Sequence, residues 1–170
     1  APDETWIQNT IVPAIVARKF VKSRIVVFST GCVYPFVPIS GPGANEETPV
    51  AFLGEYASTC VGRERVFTNF SRNQGTEQLI YRLNYSVELR YGVLVDVATK
   101  VLNGEAVDVT MGSFNLIWQG DACARAIQCW QHVASPPKFL NITGAEKVSI
   151  RHVAEEFGRL LGKEPFIKGE

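Results

Sequence analysis

The feature that most constrains the fold is an alternation of short apolar runs with segments of helical periodicity. Residues 24–30 (R-I-V-V-F-S-T) form a β-branched run typical of a strand buried in a parallel sheet, and residues 77–84 and 139–142 form two more. Helical patterns separate these runs, at about 4–20, 53–72, 92–103, 121–134 and 149–162. Strands that alternate with helices of this length form right-handed βαβ units. The sequence therefore predicts an α/β protein with a Rossmann-like, doubly wound and mostly parallel sheet.

Charge and composition exclude several classes of partner. The 170 residues include 17 Lys and Arg against 17 Asp and Glu, so the formal charge is zero. A neutral chain lacks the electrostatic attraction that nucleic acids and anionic membranes exert on basic proteins. The apolar runs are far shorter than the ~18 residues that span a bilayer, and nothing in the residues shown resembles a signal peptide. We therefore expect a cytoplasmic protein that binds a small-molecule substrate and neither nucleic acid nor membrane, with homodimer formation left open.

The cysteines predict reduced thiols rather than a disulfide scaffold or a metal site. There are four of them, widely spaced and without a C-x-x-C pair: Cys32, Cys60, Cys123 and Cys129. A zinc site would need histidine partners, and only His132 and His152 exist. We therefore predict no metal centre.

Polar side chains stand at the ends of two predicted strands. Ser29 and Thr30 end the first strand, and Asn84 ends the second. Tyr56 lies on the predicted helix between them. Ligands of open parallel sheets bind beyond the carboxyl ends of the strands. A hydroxyl, a phenol and an amide in one crevice could orient a substrate oxygen, transfer a proton and hold the rest of the substrate.

The end of the first strand resembles a known family. Residues 29–34 (S-T-G-C-V-Y) are similar to the S-S-x-x-V-Y segment of the NAD-dependent epimerase/dehydratase family, the extended short-chain dehydrogenases/reductases. In that family a Ser or Thr four residues before the V-Y tyrosine partners a catalytic Tyr about 25 residues later. Here Thr30 lies four residues before Tyr34, and Tyr56 follows 26 residues after Thr30.

Other segments match the family in the same order over nearly the whole chain. They are residues 46–49 (E-E-T-P), 82–84 (R-L-N, similar to R-x-x-N), 102–104 (L-N-G), 120–121 (G-D) and 141–151 (N-I-T-G and V-S-I-R). Asn9 resembles the asparagine of the family's N-v-x-G-T helix, although Pro13 replaces its Thr. Aligned in this way, the chain corresponds to the C-terminal part of such a protein, and the family's glycine-rich first βαβ unit would lie before Ala1.

The resemblance implies a function, a cofactor and a set of site residues. The expected activity is NAD- or NADP-dependent epimerase/dehydratase or reductase chemistry, that of an isomerase or oxidoreductase, on a sugar, such as a sugar nucleotide, or another hydroxy-carbonyl compound. Tyr56 would be the acid/base and Thr30 its partner. Cofactor-binding residues would be Asn9, Ser29, Tyr56 and Leu83, and substrate-binding residues Asn84, Cys32 and Val33. Residues 1–90 and 116–142 would form the Rossmann-like portion, and residues 91–115 and 143–170 a smaller substrate-binding portion.

The sequence departs from the family one helical turn after Tyr56. The family has a Lys there, which binds the nicotinamide ribose and lowers the pKa of the phenol, whereas this chain has Cys60. A free tyrosine has a pKa of ~10, so its phenolate is scarce at neutral pH unless a cation stabilises it. Arg63, on the same helix face, could replace the cation in part. The alternative hypothesis is a catalytically silent dinucleotide-binding sensor or scaffold of the same fold.

Overall fold

The computed structural model describes residues 1–170, which fold into two compact units. The first comprises Ala1–Asn84 and Cys123–Ile142, and the second comprises Tyr85–Ala122 and Thr143–Glu170. The division predicted from the sequence had its boundaries after residues 90, 115 and 142. The assignment of one portion to the cofactor and the other to the substrate remains a prediction.

The chain alternates helices and strands throughout. The helices are α1 (Pro2–Trp6), α2 (Val12–Lys19), α3 (Gly54–Gln74), α4 (Val93–Asn103), α5 (Gln119–Gln128) and α6 (Ile150–Leu161). The strands are β1 (Ile25–Thr30), β2 (Gln78–Leu83), β3 (Ser86–Val87), β4 (Val107–Asp108), β5 (Ser113–Phe114), β6 (Ile117–Trp118), β7 (Lys138–Ile142), β8 (Val148–Ser149) and β9 (Ile167–Lys168). A π-helical segment (Ile7–Ile11) joins α1 to α2, and 3₁₀ turns cover Gly31–Val33 and Cys129–His132.

The first unit is built on a parallel three-stranded sheet in the order β1-β2-β7. The central strand β2 is buried on both faces, which explains its continuous apolar run. On one face Val27 and Ile80 pack against Ala17 of α2 and Phe67 of α3. The opposite face has its own core, formed by Leu79, Tyr81, Ala126, Cys129 and Val133. All three strands therefore end at one edge of the sheet, at Thr30, Leu83 and Ile142.

Helix α3 is the longest element and lies over β1 and β2. Gly54, with φ +82°, leads into its first turn, and Gly75, with φ +72°, ends it in the left-handed conformation that favours glycine. Its inward residues include Ala57, Cys60 and Glu64, spaced three to four residues apart as helix geometry requires. The start of α3, which carries Tyr56, thus lies near the carboxyl ends of the strands.

The second unit has a separate core between α4 and α6. Val97, Val101, Phe114, Ile150 and Val153 form its centre. Short strand pairs complete the unit: β3 with β6 and β4 with β9 are parallel, and β5 with β8 is antiparallel. Each helix of the protein is too short or too polar to span a lipid bilayer.

The predicted α/β class with parallel strands is confirmed. The single helix expected at about 121–134 is divided in the structure. Helix α5 ends at Gln128, and a 3₁₀ turn follows it to His132. The short strands β3 and β8 and the antiparallel pair were not predicted. Two-residue strands hold too few residues to show an alternating pattern in the sequence.

Candidate active site

Tyr56 and Thr30 meet at the carboxyl end of β1. Tyr56 lies in the first turn of α3 and is 51% exposed, and its phenol is close enough to the Thr30 hydroxyl for that group to act on the pKa of Tyr56. The Thr30 hydroxyl also accepts a hydrogen bond from the Cys32 amide at 3.2 Å, which fixes the turn that follows the strand. Partial burial raises the pKa of Tyr56 above its ordinary value of 10, while the Thr30 hydrogen bond acts in the opposite direction. The phenol is therefore accessible, oriented and protonated at neutral pH.

Asn84 and Cys32 lie beside this pair. A methyl group built on Gly31 would come within 2.8 Å of Asn84 Oδ1, so the Asn84 side chain packs directly on the turn after Thr30. The Cys32 thiol is exposed and is close enough to Tyr56 to contribute to raising its pKa. Thr30, Cys32, Tyr56 and Asn84 thus lie together at the edge where β1 and β2 end.

Three predicted site residues direct their side chains elsewhere. Ser29 is buried, and its hydroxyl donates to Glu64 Oε1 at 2.6 Å. Val33 is fully buried against Cys60 in a small apolar cluster. Leu83 packs against the apolar core on the sheet face opposite α2 and α3. Any contact that these three residues make with a ligand would have to come from their backbone.

Asn9 lies in the π-helical segment and is tied to α3. Its Nδ2 donates to Thr59 Oγ1 at 3.1 Å, and Thr59 Oγ1 donates to the Tyr56 carbonyl at 2.9 Å. Its backbone carbonyl and its side-chain oxygen both accept hydrogen bonds from Arg63. π-Helical segments often occur at functional sites. Here the segment fixes the turn of α3 that presents Tyr56.

Cys60 occupies the position one turn after Tyr56 and is fully buried. Burial is the main cause that raises the pKa of its thiol, while nearby Arg63 and the Tyr56 side chain act in the opposite direction. Arg63 itself is committed to Asn9 and to the Phe28 carbonyl, which its Nη1 contacts at 2.6 Å. Its charge acts on Cys60, and no cation lowers the pKa of Tyr56. The structure therefore does not support Arg63 as a replacement for the family's Lys.

A buried ion-pair network beneath the strand ends was missed by the sequence reasoning. Arg82 donates through Nε and Nη2 to the two Glu64 oxygens at 2.9 and 2.7 Å, and through Nη1 to Tyr34 Oη at 2.6 Å. Tyr34 in turn donates to Asn141 Oδ1 at 2.8 Å. Glu64 also accepts from Ser29, so the network links β1, β2, β7 and α3. A signal was present in the sequence, because Glu64 follows Tyr56 at i+8 on the inward face of α3.

Comparisons with known proteins show a clear similarity in fold. The UDP-glucose 4-epimerase of Thermus thermophilus in complex with NAD matches with a TM-score of 0.72 and 19% identity, over 91% of this chain and 53% of that one. The dTDP-glucose 4,6-dehydratase of Bacillus anthracis in complex with NAD gives 0.78 and 20%, over 97% and 57%. The protein RMD of Pseudomonas aeruginosa complexed with NADPH gives 0.80 and 16%, over 99% and 63%.

The same comparisons set the extent of the similarity. The chain spans between about half and two thirds of the length of these structures. No family model matches the chain, and no curated protein matches it. Nearly the whole chain superposes on proteins solved with nicotinamide dinucleotides, in agreement with the resemblance found in the sequence. The chain therefore has the Rossmann-type fold of the NAD-dependent epimerases and dehydratases.

Proposed function

We propose that this protein carries out NAD(P)-dependent epimerase, dehydratase or reductase chemistry on a sugar nucleotide or another hydroxy-carbonyl compound, with Tyr56 as the acid/base. The observation that carries the proposal is that the half-exposed Tyr56 phenol lies beside the Thr30 hydroxyl at the carboxyl edge of a parallel sheet. This edge is where open α/β sheets bind their ligands. The fold shared with the solved epimerases and dehydratases supports the same assignment.

The residues around Tyr56 fit a nicotinamide cofactor in part. A nicotinamide cofactor, when bound, supplies or accepts a hydride. Tyr56 and Thr30 present hydroxyl groups at the sheet edge, and Asn9 holds the adjacent turn of α3 through Thr59. Cys60 contributes neither a positive charge nor a hydrogen-bonding ammonium at this place, so the ribose contact of the family's Lys has no counterpart there. We propose that the Tyr56 side chain contacts NAD or NADP directly. Ser29 and Leu83 would contact it only through their backbone, and Asn9 would act by holding the turn of α3 that presents Tyr56.

Each side chain at the edge has a distinct part in the proposed chemistry. Tyr56 donates a proton to a substrate carbonyl oxygen or removes one from a hydroxyl. Thr30 holds the phenol in place and its hydrogen bond moderates the rise in the pKa of Tyr56. Asn84, packed on Gly31, is placed to fix a polar group of the substrate beside them. Cys32 and the backbone of Val33 border the same turn.

One observation favours a second function, a nucleotide-binding sensor or scaffold without turnover. Cys60 is buried and its thiol is neutral, so no cation beside Tyr56 stabilises a phenolate. A site that binds a dinucleotide needs only its shape and hydrogen bonds, whereas proton abstraction at neutral pH needs a phenol with a lowered pKa. This difference makes the two functions experimentally separable.

Turnover and cofactor binding must be measured on the same preparations of the full-length protein. Conversion of UDP-sugars and dTDP-sugars in the presence of NAD or NADP is followed by chromatography of the sugar products, because epimerisation and dehydration regenerate the cofactor in each turnover. Reduction of simple ketones is followed by the loss of NADH or NADPH absorbance, and cofactor binding by fluorescence. Tyr56→Phe removes the proton donor, and Tyr91→Phe, which loses only an exposed contact with Gln119, is the matched control. The proposal expects turnover that Tyr56→Phe abolishes and Tyr91→Phe retains. Cofactor binding without turnover in the unmodified protein would favour the sensor or scaffold instead.

A further inference from the structure

A groove of about 470 Å³ lies along α3, away from Tyr56. One wall is formed by residues of a single helix face, with Arg65, Thr68, Asn69 and Arg72 spaced three, four and seven residues apart. Arg82 and Phe139 lie in its lining on the sheet side. The volume falls within the ~300–1,000 Å³ of small-molecule sites. The lining does not include Thr30, Cys32, Tyr56 or Asn84, although Glu64 and Arg82 of the buried ion-pair network are part of it.

The groove carries an uncompensated positive charge. Its one carboxylate, Glu64, is bonded to both Arg82 and Ser29, so the Glu64–Arg82 pair is internally neutral. Arg72 makes no hydrogen bond or ion pair, and the Arg65 guanidinium contacts only the Phe52 ring, at 5.0 Å from its centroid. Two guanidinium groups therefore border the groove without an acidic partner, although the protein as a whole is neutral.

The donors match a phosphate better than a carboxylate. Seven residues of helix separate the Cα atoms of Arg65 and Arg72 by roughly 10 Å, a span that both long side chains can close onto one ligand. Asn73 Nδ2 donates to Asn69 Oδ1, so the Nδ2 group of Asn69, which lines the groove, remains available as a further donor. Guanidinium forks, an amide and the Thr68 hydroxyl together offer more donors than the two oxygens of one carboxylate can accept. Phe139 and Val50 add an apolar surface for the rest of a ligand.

We propose that this groove is a second binding site, for a phosphate-bearing small molecule whose phosphate group is held by Arg65 and Arg72. Asn69 and Thr68 add hydrogen bonds, and the apolar side accepts the organic part. The groove floor includes the Glu64–Arg82 pair, so an occupant would lie against the network that also holds Tyr34 and Ser29. The site does not depend on the proposed function at Tyr56.

Pyrophosphate is the probe, titrated calorimetrically into the full-length protein at low salt. Arg65→Gln/Arg72→Gln is expected to weaken its affinity about tenfold or more, since two charge-assisted contacts are lost. The matched control is Arg18→Gln/Arg151→Gln, which removes two exposed arginines without partners elsewhere and is expected to change affinity less than about twofold. Asn69→Asp, which leaves the size unchanged and adds a negative charge in the groove, is expected to weaken binding as well.

Three results would overturn the proposal. They are the absence of pyrophosphate binding at millimolar concentration, an equal loss in both double variants, and unchanged affinity in Asn69→Asp. Equal losses would show diffuse attraction to surface charge. Thermal unfolding of every variant is recorded first, and Asn69→Asp keeps the test decisive if the loss of the Arg65 contact with Phe52 lowers stability. Failure here would leave the Tyr56 proposal unaffected, because no variant alters that site.

Discussion

Replacing Glu64 by Gln should strongly destabilise the protein. The Glu64 and Arg82 side chains are each only 5% exposed, and their ion pair is the most buried in the chain. The introduced amide would be nearly the same size and would keep one oxygen acceptor, but it would leave the Arg82 guanidinium with no anion. Desolvation then opposes the buried charge without the compensating attraction. The substitution therefore isolates the charge of the pair from its packing.

The burial of the pair allows the loss in the free energy of unfolding to be estimated. Breaking a buried ion pair by removing one partner costs about 3–5 kcal/mol, and the retained acceptor in the amide places the expected loss near ~3 kcal/mol. In a chain of 150–250 residues each kcal/mol lowers the melting temperature by about 2–4 °C, so a decrease of roughly 6–12 °C is expected. The exposed Arg24–Glu77 pair, 3.4 Å apart, is the comparison, and Glu77→Gln should cost less than ~1 kcal/mol.

Thermal unfolding followed by circular dichroism measures the difference. The double variant Glu64→Leu/Arg82→Met removes both charges and should recover more than half of the stability lost in Glu64→Gln, because no unpaired charge remains. A Glu64→Gln protein that melts within about 2 °C of the unmodified one would refute the reasoning. A double variant no more stable than the single one would refute it too.

Three further predictions follow from other contacts. Burial raises the pKa of Tyr81 to about 12, so the folded state keeps this proton after the unfolded chain loses it near pH 10. The free energy of unfolding should therefore fall by up to about 2–3 kcal/mol between pH 10 and 12, and Tyr81→Phe should remove that part of the decrease in urea titrations. Thr30→Val should raise the pKa of Tyr56 further by removing a hydrogen bond that lowers it, as followed by phenolate absorbance against Tyr56→Phe. Arg63→Ala should release Asn9 and the Phe28 carbonyl, with faster amide hydrogen exchange in Ile7–Ile11.

The sequence predicts best the strands of the three-stranded sheet, because each of them is marked by a run of several apolar residues. The run ending at Asn84 is largely apolar because its strand β2 is covered on both faces, which is typical of the centre of a parallel sheet. The run ending at Thr30 has the same composition, but its strand β1 lies at the edge of the three-stranded sheet and leaves Phe28 exposed. The second unit is less predictable, since β3 and β8 are two-residue strands whose pairing depends on partners distant in the sequence. Tyr56 and Thr30 lie close together at the end of β1, and their roles in catalysis stay predictions.

The orientation of individual side chains was the part that could not be predicted. Ser29 stands next to Thr30 in the sequence, yet alternation along the strand turns it to Glu64 on the opposite face. Arg63 shares a helix face with Cys60, but hydrogen bonds to the π-helical segment hold its guanidinium away from Tyr56. Such choices depend on hydrogen-bonding partners that only the folded chain brings together.

Substituting Cys60 is the most direct test of Tyr56 as the acid–base group. Cys60→Lys places a cation one helical turn from the phenol, and Cys60→Met adds a long side chain without charge as the control. Compared with Cys60→Met, Cys60→Lys should lower the pKa of Tyr56 and raise NAD(P)-dependent turnover at neutral pH, within the ~10²–10⁴-fold range of general acid–base catalysis. Adding Tyr56→Phe to Cys60→Lys should abolish the increase. Turnover in Cys60→Lys no higher than in Cys60→Met, or an increase that survives Tyr56→Phe, would contradict the assignment of Tyr56.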